Sequence, residues 1–342
     1  MKRVGMLTGG GDCPGLNAAI RAIVRRGTQH GFQSIGILEG WRGLIEGLSR
    51  ELPLGAVSGI LHVGGTILRT SRTNPSKSPD GMAKVEENFR KMGLDALVAI
   101  GGEDTLGVAH KLHQRGLPVV GVPKTIDNDL SGTDFTFGFQ TAVAIVTDAI
   151  DRLHSTADSH NRVMVLEVMG RHTGWIATYA GIAGGADVIL IPERPIDLER
   201  VCAHFVSRHD QGKKFSIVVA AEGAQFKEGD HVTQAKGLDA FGHVRLGGIG
   251  QAISDEIEKR TKYETRCTVL GHVQRGGSPI AFDRVLATRF GVCAADLVKN
   301  GDFGKMAALR GNDVVPLELG DAVTKLKTVD PRLFELAEIF FG

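Results

Sequence analysis

The sequence predicts an α/β protein whose largely parallel sheets carry helices on both faces. Short runs rich in Val, Ile and Ala, at 4–8, 96–100, 119–122, 163–168, 188–191 and 215–221, alternate with amphipathic stretches of helical period. Several of these runs open onto glycine-rich or acidic loops, and in such sheets ligands collect at the carboxyl ends of strands. The 342 residues suffice for two domains, each with its own core.

The first run leads into Gly9-Gly10-Gly11-Asp12-Cys13-Pro14-Gly15 and then a helix, whose stripe of Leu16, Ala19, Ile20, Ile23 and Val24 faces away from Arg21 and Arg25. Backbone amides and the helix dipole at such a loop can receive a phosphate. The same composition also makes a tight turn. It is not a dinucleotide fingerprint, because counting from Gly9 and Gly11 the third glycine position is Pro14. Gly212-Lys213 and Gly304-Lys305 lack the Ser or Thr of a Walker A loop.

The run at 96–100 opens onto Gly101-Gly102-Glu103-Asp104-Thr105. Adjacent carboxylates repel a phosphate unless a cation intervenes, and magnesium fits that need. Alternatively Asp104 caps a helix beginning near Leu106. The run at 119–122 leads through Pro123 and Lys124 to Thr125-Ile126-Asp127-Asn128-Asp129. A carboxylate such as Asp127 can take a hydroxyl proton while lysine cancels charge on a migrating phosphoryl group. Asp and Asn also cap turns without any chemistry.

A stripe of Ala142, Ile145, Val146, Ala149, Ile150 and Leu153 marks the next helix, and a domain boundary is expected near Gly138. Arg162 begins the following run, and Met169-Gly170-Arg171-His172 ends it, offering guanidinium groups to anions. Asp197 is placed to cap the helix carrying Leu198, Val201, Cys202, Phe205 and Val206. Arg266, His272 and Arg275 form a further basic group beside Gly276-Gly277.

Forty basic and thirty-nine acidic residues leave a formal charge of +1, so no overall field favours nucleic acid or an anionic membrane. The four cysteines are far apart without metal-ligand spacing, which suits a reducing, cytoplasmic setting. The amino terminus lacks a secretory signal, and no apolar segment approaches the roughly 20 residues that span a bilayer.

Taken in order, GGGDCPGLN at 9–17, GGEDT at 101–105, PKTIDND at 123–129, MGRH at 169–172, AEG at 221–223 and TVLGHVQRGG at 268–277 resemble the phosphofructokinase family over nearly the whole chain. The resemblance implies two Rossmann-like three-layer α/β/α domains with the active site in the cleft between them. Residues 1–138 and 274–323 would bind phosphoryl donor and metal, and 139–273 and 324–342 would bind fructose 6-phosphate. Asp127 is then the base for the sugar 1-hydroxyl, supported by Asp129 with Thr125 near the transferring group, while Arg171 and Arg72 stabilise charge on that group and Lys124 belongs to the catalytic set. Gly10, Gly11, Arg72, Gly102, Asp104, Thr105 and Lys124 would hold the donor, with Glu103 on Mg2+. Thr125, Asp127, Arg162, Met169, Gly170, Arg171, Glu222, Arg266, His272 and Arg275 would hold the sugar phosphate. A homotetramer sharing active sites between subunits is implied. Arg21 and Arg25 match basic residues of the bacterial effector site, but Leu54 and His154 stand where arginine is common, so that pocket reads as depleted.

The family divides between ATP and pyrophosphate as donor. ATP-using relatives typically carry glycine where this chain has Asp104, leaving room for the α-phosphate. A carboxylate about 4 Å from that phosphate, at an effective dielectric near about 20, repels it by about 4 kcal/mol. That corresponds to roughly a thousandfold in affinity. Pyrophosphate has no α-phosphate, so it is the expected donor and ATP the alternative. Trp41 reads as a loop anchor rather than an adenine platform. An alternative of a different class is a catalytically silent sugar-phosphate-binding regulatory subunit, which the retention of Asp127, Arg171 and the metal loop disfavours.

Overall fold

The computed structural model of the protein describes residues 1–227 and 247–341. The chain runs β1 (Arg3–Thr8), α1 (Leu16–Gln29), β2 (Gln33–Ile37), α2 (Trp41–Glu46), β3 (Ser49–Glu51), α3 (Gly81–Lys91), β4 (Ala96–Gly101), α4 (Glu103–Gln114), β5 (Val119–Thr125) and β6 (Phe137–Gly138). It continues through α5 (Phe139–His160), β7 (Val163–Val168), α6 (Trp175–Ala183), β8 (Val188–Leu190), α7 (Leu198–Asp210), β9 (Ser216–Ala221), α8 (Ile249–Thr261) and β10 (Thr265–Val269). Last come α9 (Ala281–Asn300), β11 (Lys305–Arg310), β12 (Asp313–Glu318), α10 (Leu319–Val323) and α11 (Pro331–Glu338).

Residue contacts divide the chain into two compact units, the first of Met1–Ile126, Leu130–Thr141 and Arg275–Leu326, the second of Asp127–Asp129, Ala142–Gln274 and Lys327–Gly342. The first holds a sheet of order β12-β11-β5-β4-β1-β2-β3, with β6 paired to β5. Neighbours from β11 to β2 are parallel, and β12 and β3 close the edges antiparallel. Its core gathers Leu7, Ile37, Trp41, Leu44, Leu97 and Leu106. The second unit holds the sheet β10-β7-β9-β8, all parallel, over a core that includes Val165, Leu190, Phe205, Val218 and Ile253. Continuous apolar strands are what parallel sheets covered on both faces demand.

Two local expectations are revised. β5 extends through Lys124 and Thr125, because β6 pairs with those residues and prolongs the ladder beyond the apolar run. α4 begins at Glu103 rather than near Leu106, with extended Gly102 as its cap, so Asp104 lies within the first turn. Two carboxylates are favoured there by the helix dipole. Asp197 does cap α7, its side chain accepting the Arg200 amide proton.

The start of α5 is held by a buried carboxylate. Asp283, 0% exposed, accepts the Thr141 amide at 2.7 Å and the Thr141 hydroxyl at 2.6 Å. Desolvation pushes its carboxyl from 3.8 up to about 6, against the lowering effect of Thr141. The folded protein therefore binds this proton more tightly than the unfolded chain. The resulting stabilisation is complete below the unfolded value and is lost as pH rises through about 6. We predict that Asp283→Asn abolishes this dependence. Urea unfolding should show wild type losing about 1 kcal/mol relative to the variant between about pH 5 and about pH 7. An offset independent of pH would contradict the assignment.

Candidate active site

In the first unit the glycine loop is built around neighbours that leave no room for side chains. A methyl on Gly9 would come 2.5 Å from Thr105 Oγ1, and one on Gly11 would come 1.5 Å from Arg275 Nη1. Thr105 is buried, and Lys124, 3% exposed, donates from Nζ to the Gly11 carbonyl oxygen at 2.5 Å. The Arg275 side chain is buried as well, with its residue 8% exposed. The loop's amides are less available than expected, since Gly9 N–H bonds Ile100 O at 2.9 Å and Gly10 N–H bonds Ser71 O at 3.2 Å. Cations, rather than those two amides, therefore supply the loop's attraction for an anion. Thr70 Oγ1 donates to Gly10 O at 2.7 Å, tying the segment that carries exposed Arg72 to the loop.

Gly102 lies close to the end of β5, where its Cβ would meet Lys124 O at 3.5 Å. Glu103 and Asp104 follow as exposed carboxylates. Among the described residues no three His, Cys, Asp or Glu side chains form a metal-ligand group. Magnesium commonly takes only one or two carboxylates and completes its shell with phosphate oxygens and water, so this donor set fits it. Trp41 is 2% exposed among Leu7, Ile37 and Leu44, which makes it a core anchor with no face for a base.

In the second unit a different set converges on the carboxyl ends of the strands. Asp127 and Asn128 are buried, and Asn128 turns the chain at φ 54. The loop is fastened by Thr173 Oγ1 to Asp127 O at 3.4 Å and by Lys327 N–H to Asp129 O at 2.9 Å. After β7, buried Met169 leads to Gly170 at φ 140 and Arg171 at φ 51. A left-handed arginine is costly and persists only where the surroundings hold it. Here Glu222 Oε1 accepts the Arg171 amide at 3.2 Å, and a Cβ on Gly223 would meet Arg171 O at 1.8 Å. His272 is exposed beyond β10.

Arg162 and Arg266 are not brought to this group. Arg162 precedes β7 and Arg266 is the second residue of β10, so both mark the amino ends of parallel strands. The strand length puts them about 20 Å from the Met169 end. They meet at Glu264, to which Arg162 bonds at 2.8 Å and Arg266 at 2.5 Å. The Arg162 hydrogen bond holds the Glu264 carboxyl below its usual range.

Several supporting residues escaped the sequence reading. Fully buried Gln274 accepts the Met169 amide at 3.2 Å and donates to Gly271 O at 3.1 Å, fixing both loop ends. Asn17 accepts the Ile67 amide at 2.8 Å and donates to Val63 O at 2.9 Å. Glu193 accepts the amides of Gly174 and Val329, each at 3.0 Å from one of its oxygens. A lone amide or carboxylate in a loop carries no sequence signal for such a role.

Comparison with known proteins agrees with this arrangement. The family model described as phosphofructokinase matches residues 3–298. Pyrophosphate--fructose 6-phosphate 1-phosphotransferase of Streptomyces coelicolor is 59% identical over 342 residues, 99% of this chain and 100% of that protein. ATP-dependent 6-phosphofructokinase 3 of the same organism is 52% identical over 337 residues, 98% of this chain and 99% of that protein. The solved phosphofructokinase of Pichia pastoris superposes with a TM-score of 0.85 at 32% identity over 99% of this chain, which spans 36% of that longer chain. With parallel sheets, a glycine loop backed by lysine and an Asp-Asn-Asp loop matched along most of its length, the chain belongs to the phosphofructokinase family.

Proposed function

We propose that this chain transfers a phosphoryl group reversibly from pyrophosphate to the 1-hydroxyl of fructose 6-phosphate, giving fructose 1,6-bisphosphate and phosphate in glycolysis. The observation that carries the donor choice is Asp104 in the first turn of α4, one residue beyond Glu103 and two beyond Gly102, which lies against the end of β5. A carboxylate there opposes the α-phosphate of ATP. Its exposure lets water screen the repulsion, so the discrimination expected is below the unscreened thousandfold. Burial of Trp41 removes an aromatic platform for adenine. The relative at 59% identity carries the pyrophosphate name and the one at 52% the ATP name, which keeps ATP as the second reading.

In this reading Asp127 takes the proton of the sugar 1-hydroxyl as its oxygen attacks the nearer phosphorus, with Asp129 and Thr125 supporting the loop. Lys124 and Arg171 offset charge on the group in transfer, and Arg72 approaches it from the segment tied to Gly10. Glu222, Met169 and Gly170 shape the sugar pocket. Magnesium, held by Glu103 together with donor oxygens, would supply additional neutralisation of phosphate charge. Arg162 and Arg266, at the far ends of their strands, are assigned to the sugar phosphate of another copy, which is the physical reason for a homotetramer with shared sites. Among the described residues no helix is long and apolar enough to cross a membrane. The free cysteines fit the reducing cytoplasm, where we place the enzyme.

Two substitutions test this reading. Asp127→Ser should lower kcat by roughly a thousandfold while fructose 6-phosphate still binds in equilibrium titration. Retained turnover would remove Asp127 as the base. Asp104→Gly should raise kcat/KM with ATP by about tenfold or more relative to wild type. No gain would separate donor choice from this carboxylate.

A further inference from the structure

A cavity of about 220 Å3 lies within the second unit, between β8, α7 and α11, and none of the residues assigned to donor or sugar lines it. Its walls are largely apolar, with Leu190 from β8, Val201 from α7, Phe334 from α11, and Ile196 and Phe341 beside them. Arg200, Val201 and His204 reach it from α7 at the spacing of one helix face. Glu338 joins α11 to the opposite wall, 2.9 Å from Arg194 and 3.8 Å from Arg200. The second separation exceeds a hydrogen bond, so Arg200 keeps N–H groups for another acceptor. His204 Nε2 is buried and has no hydrogen-bond partner.

Around this cavity Arg194 and Arg200 meet Glu338, and Lys227 meets the capping Asp197 at 3.5 Å, which leaves one positive charge unmatched. Desolvation, ahead of the Arg208 charge, holds the His204 imidazole below its ordinary value, so it is uncharged at neutral pH. A buried ring nitrogen without a partner costs free energy that a ligand oxygen recovers. Glu338 shows that a carboxylate fits against these guanidinium groups, whose forked donors match its two oxygens. The apolar walls favour an apolar body and disfavour a strongly hydrated, multiply charged phosphate. An apolar cavity of about 150 Å3 admits benzene, so this larger one has room for a substituted ring. The geometry points to a binding site for a small aromatic carboxylate, its ring against Phe334 and Phe341 and its charge between Arg200 and His204. The site is independent of the phosphoryl-transfer reading given above.

The test is titration of the intact protein with benzoate, followed by ligand-observed NMR, with folding checked by circular dichroism. Wild type should bind benzoate saturably at one site with a Kd of about 1 mM or tighter. His204→Leu, which replaces the ring nitrogens with apolar surface, should weaken binding by about tenfold. Arg200→Gln should weaken it by about threefold, because that guanidinium is 79% exposed and screened by water. The same exposure keeps the Arg200 variant folded, so it decides the question if the His204 variant is not. Benzyl alcohol, with the same ring and no charge, should bind about tenfold less tightly than benzoate. Absence of saturation up to about 20 mM benzoate, equal affinity for the alcohol, or affinity unchanged by both substitutions would overturn the assignment.

Discussion

The burial of two cations at one glycine is the constraint on which the rest of the proposed donor site depends. Lys124 reaches Gly11 because β5 continues past its apolar run to pair with β6, and Arg275 reaches it because the chain passes from the Gln274 loop into the first unit just before α9. The Arg275 guanidinium would not fit beside a larger residue at that position. Two like charges in a low-dielectric setting raise each other's cost and lower the cost of any anion that enters. In the proposed reading the loop would therefore attract phosphate chiefly through side-chain charge, with the Gly9 and Gly10 amides already satisfied by Ile100 and Ser71.

In the proposed reading the second unit solves a different problem, the placement of a base and a sugar. Its devices are backbone ones. Asn128, Gly170 and Arg171 adopt positive φ, and each is held by bonds from residues distant in sequence: Thr173 and Lys327 on the Asp127–Asp129 loop, Glu222 and Gln274 around Arg171. Strain of this kind survives only when several contacts fix it, and it places a carboxylate and a guanidinium on short, rigid loops at strand ends. The chain joins the two problems covalently, since Thr125 ends β5 and Asp127 begins the segment counted with the second unit.

Much of this was legible in the sequence where the signal was local. Apolar runs gave the parallel strands, and the Asp197 cap and the apolar stripe of α1 follow from side-chain type and period. The loops read as phosphate chemistry because GGGDCPG and PKTIDND concentrate glycine and charge, and the family found by comparison is one of phosphoryl transfer. What stayed hidden depends on distant partners. The hairpin β11–β12, with Gly311 and Asn312 between its strands, offered a turn signal that the apolar alternation of its neighbours overshadowed. The extension of β5 needed β6, and the use of the Gly10 amide needed Ser71, far along the chain. Asp283 carries no local signal for its role, being fully buried against Thr141, which is 142 residues away. Arg162, Arg266 and Arg275 read as equivalent basic residues, yet strand direction separates the first two from the loop cluster and Gly11 captures the third.

The central claim is that the charge gathered at Gly11 serves a compact polyanion and that the α4 carboxylate excludes a nucleotide. Isothermal titration of the unliganded protein with magnesium pyrophosphate and, separately, with a magnesium complex of a non-hydrolysable ATP analogue measures this without turnover. The account predicts saturable binding of pyrophosphate with an affinity about tenfold or more above that of the nucleotide. Equal affinities, or tighter binding of the nucleotide, would contradict it.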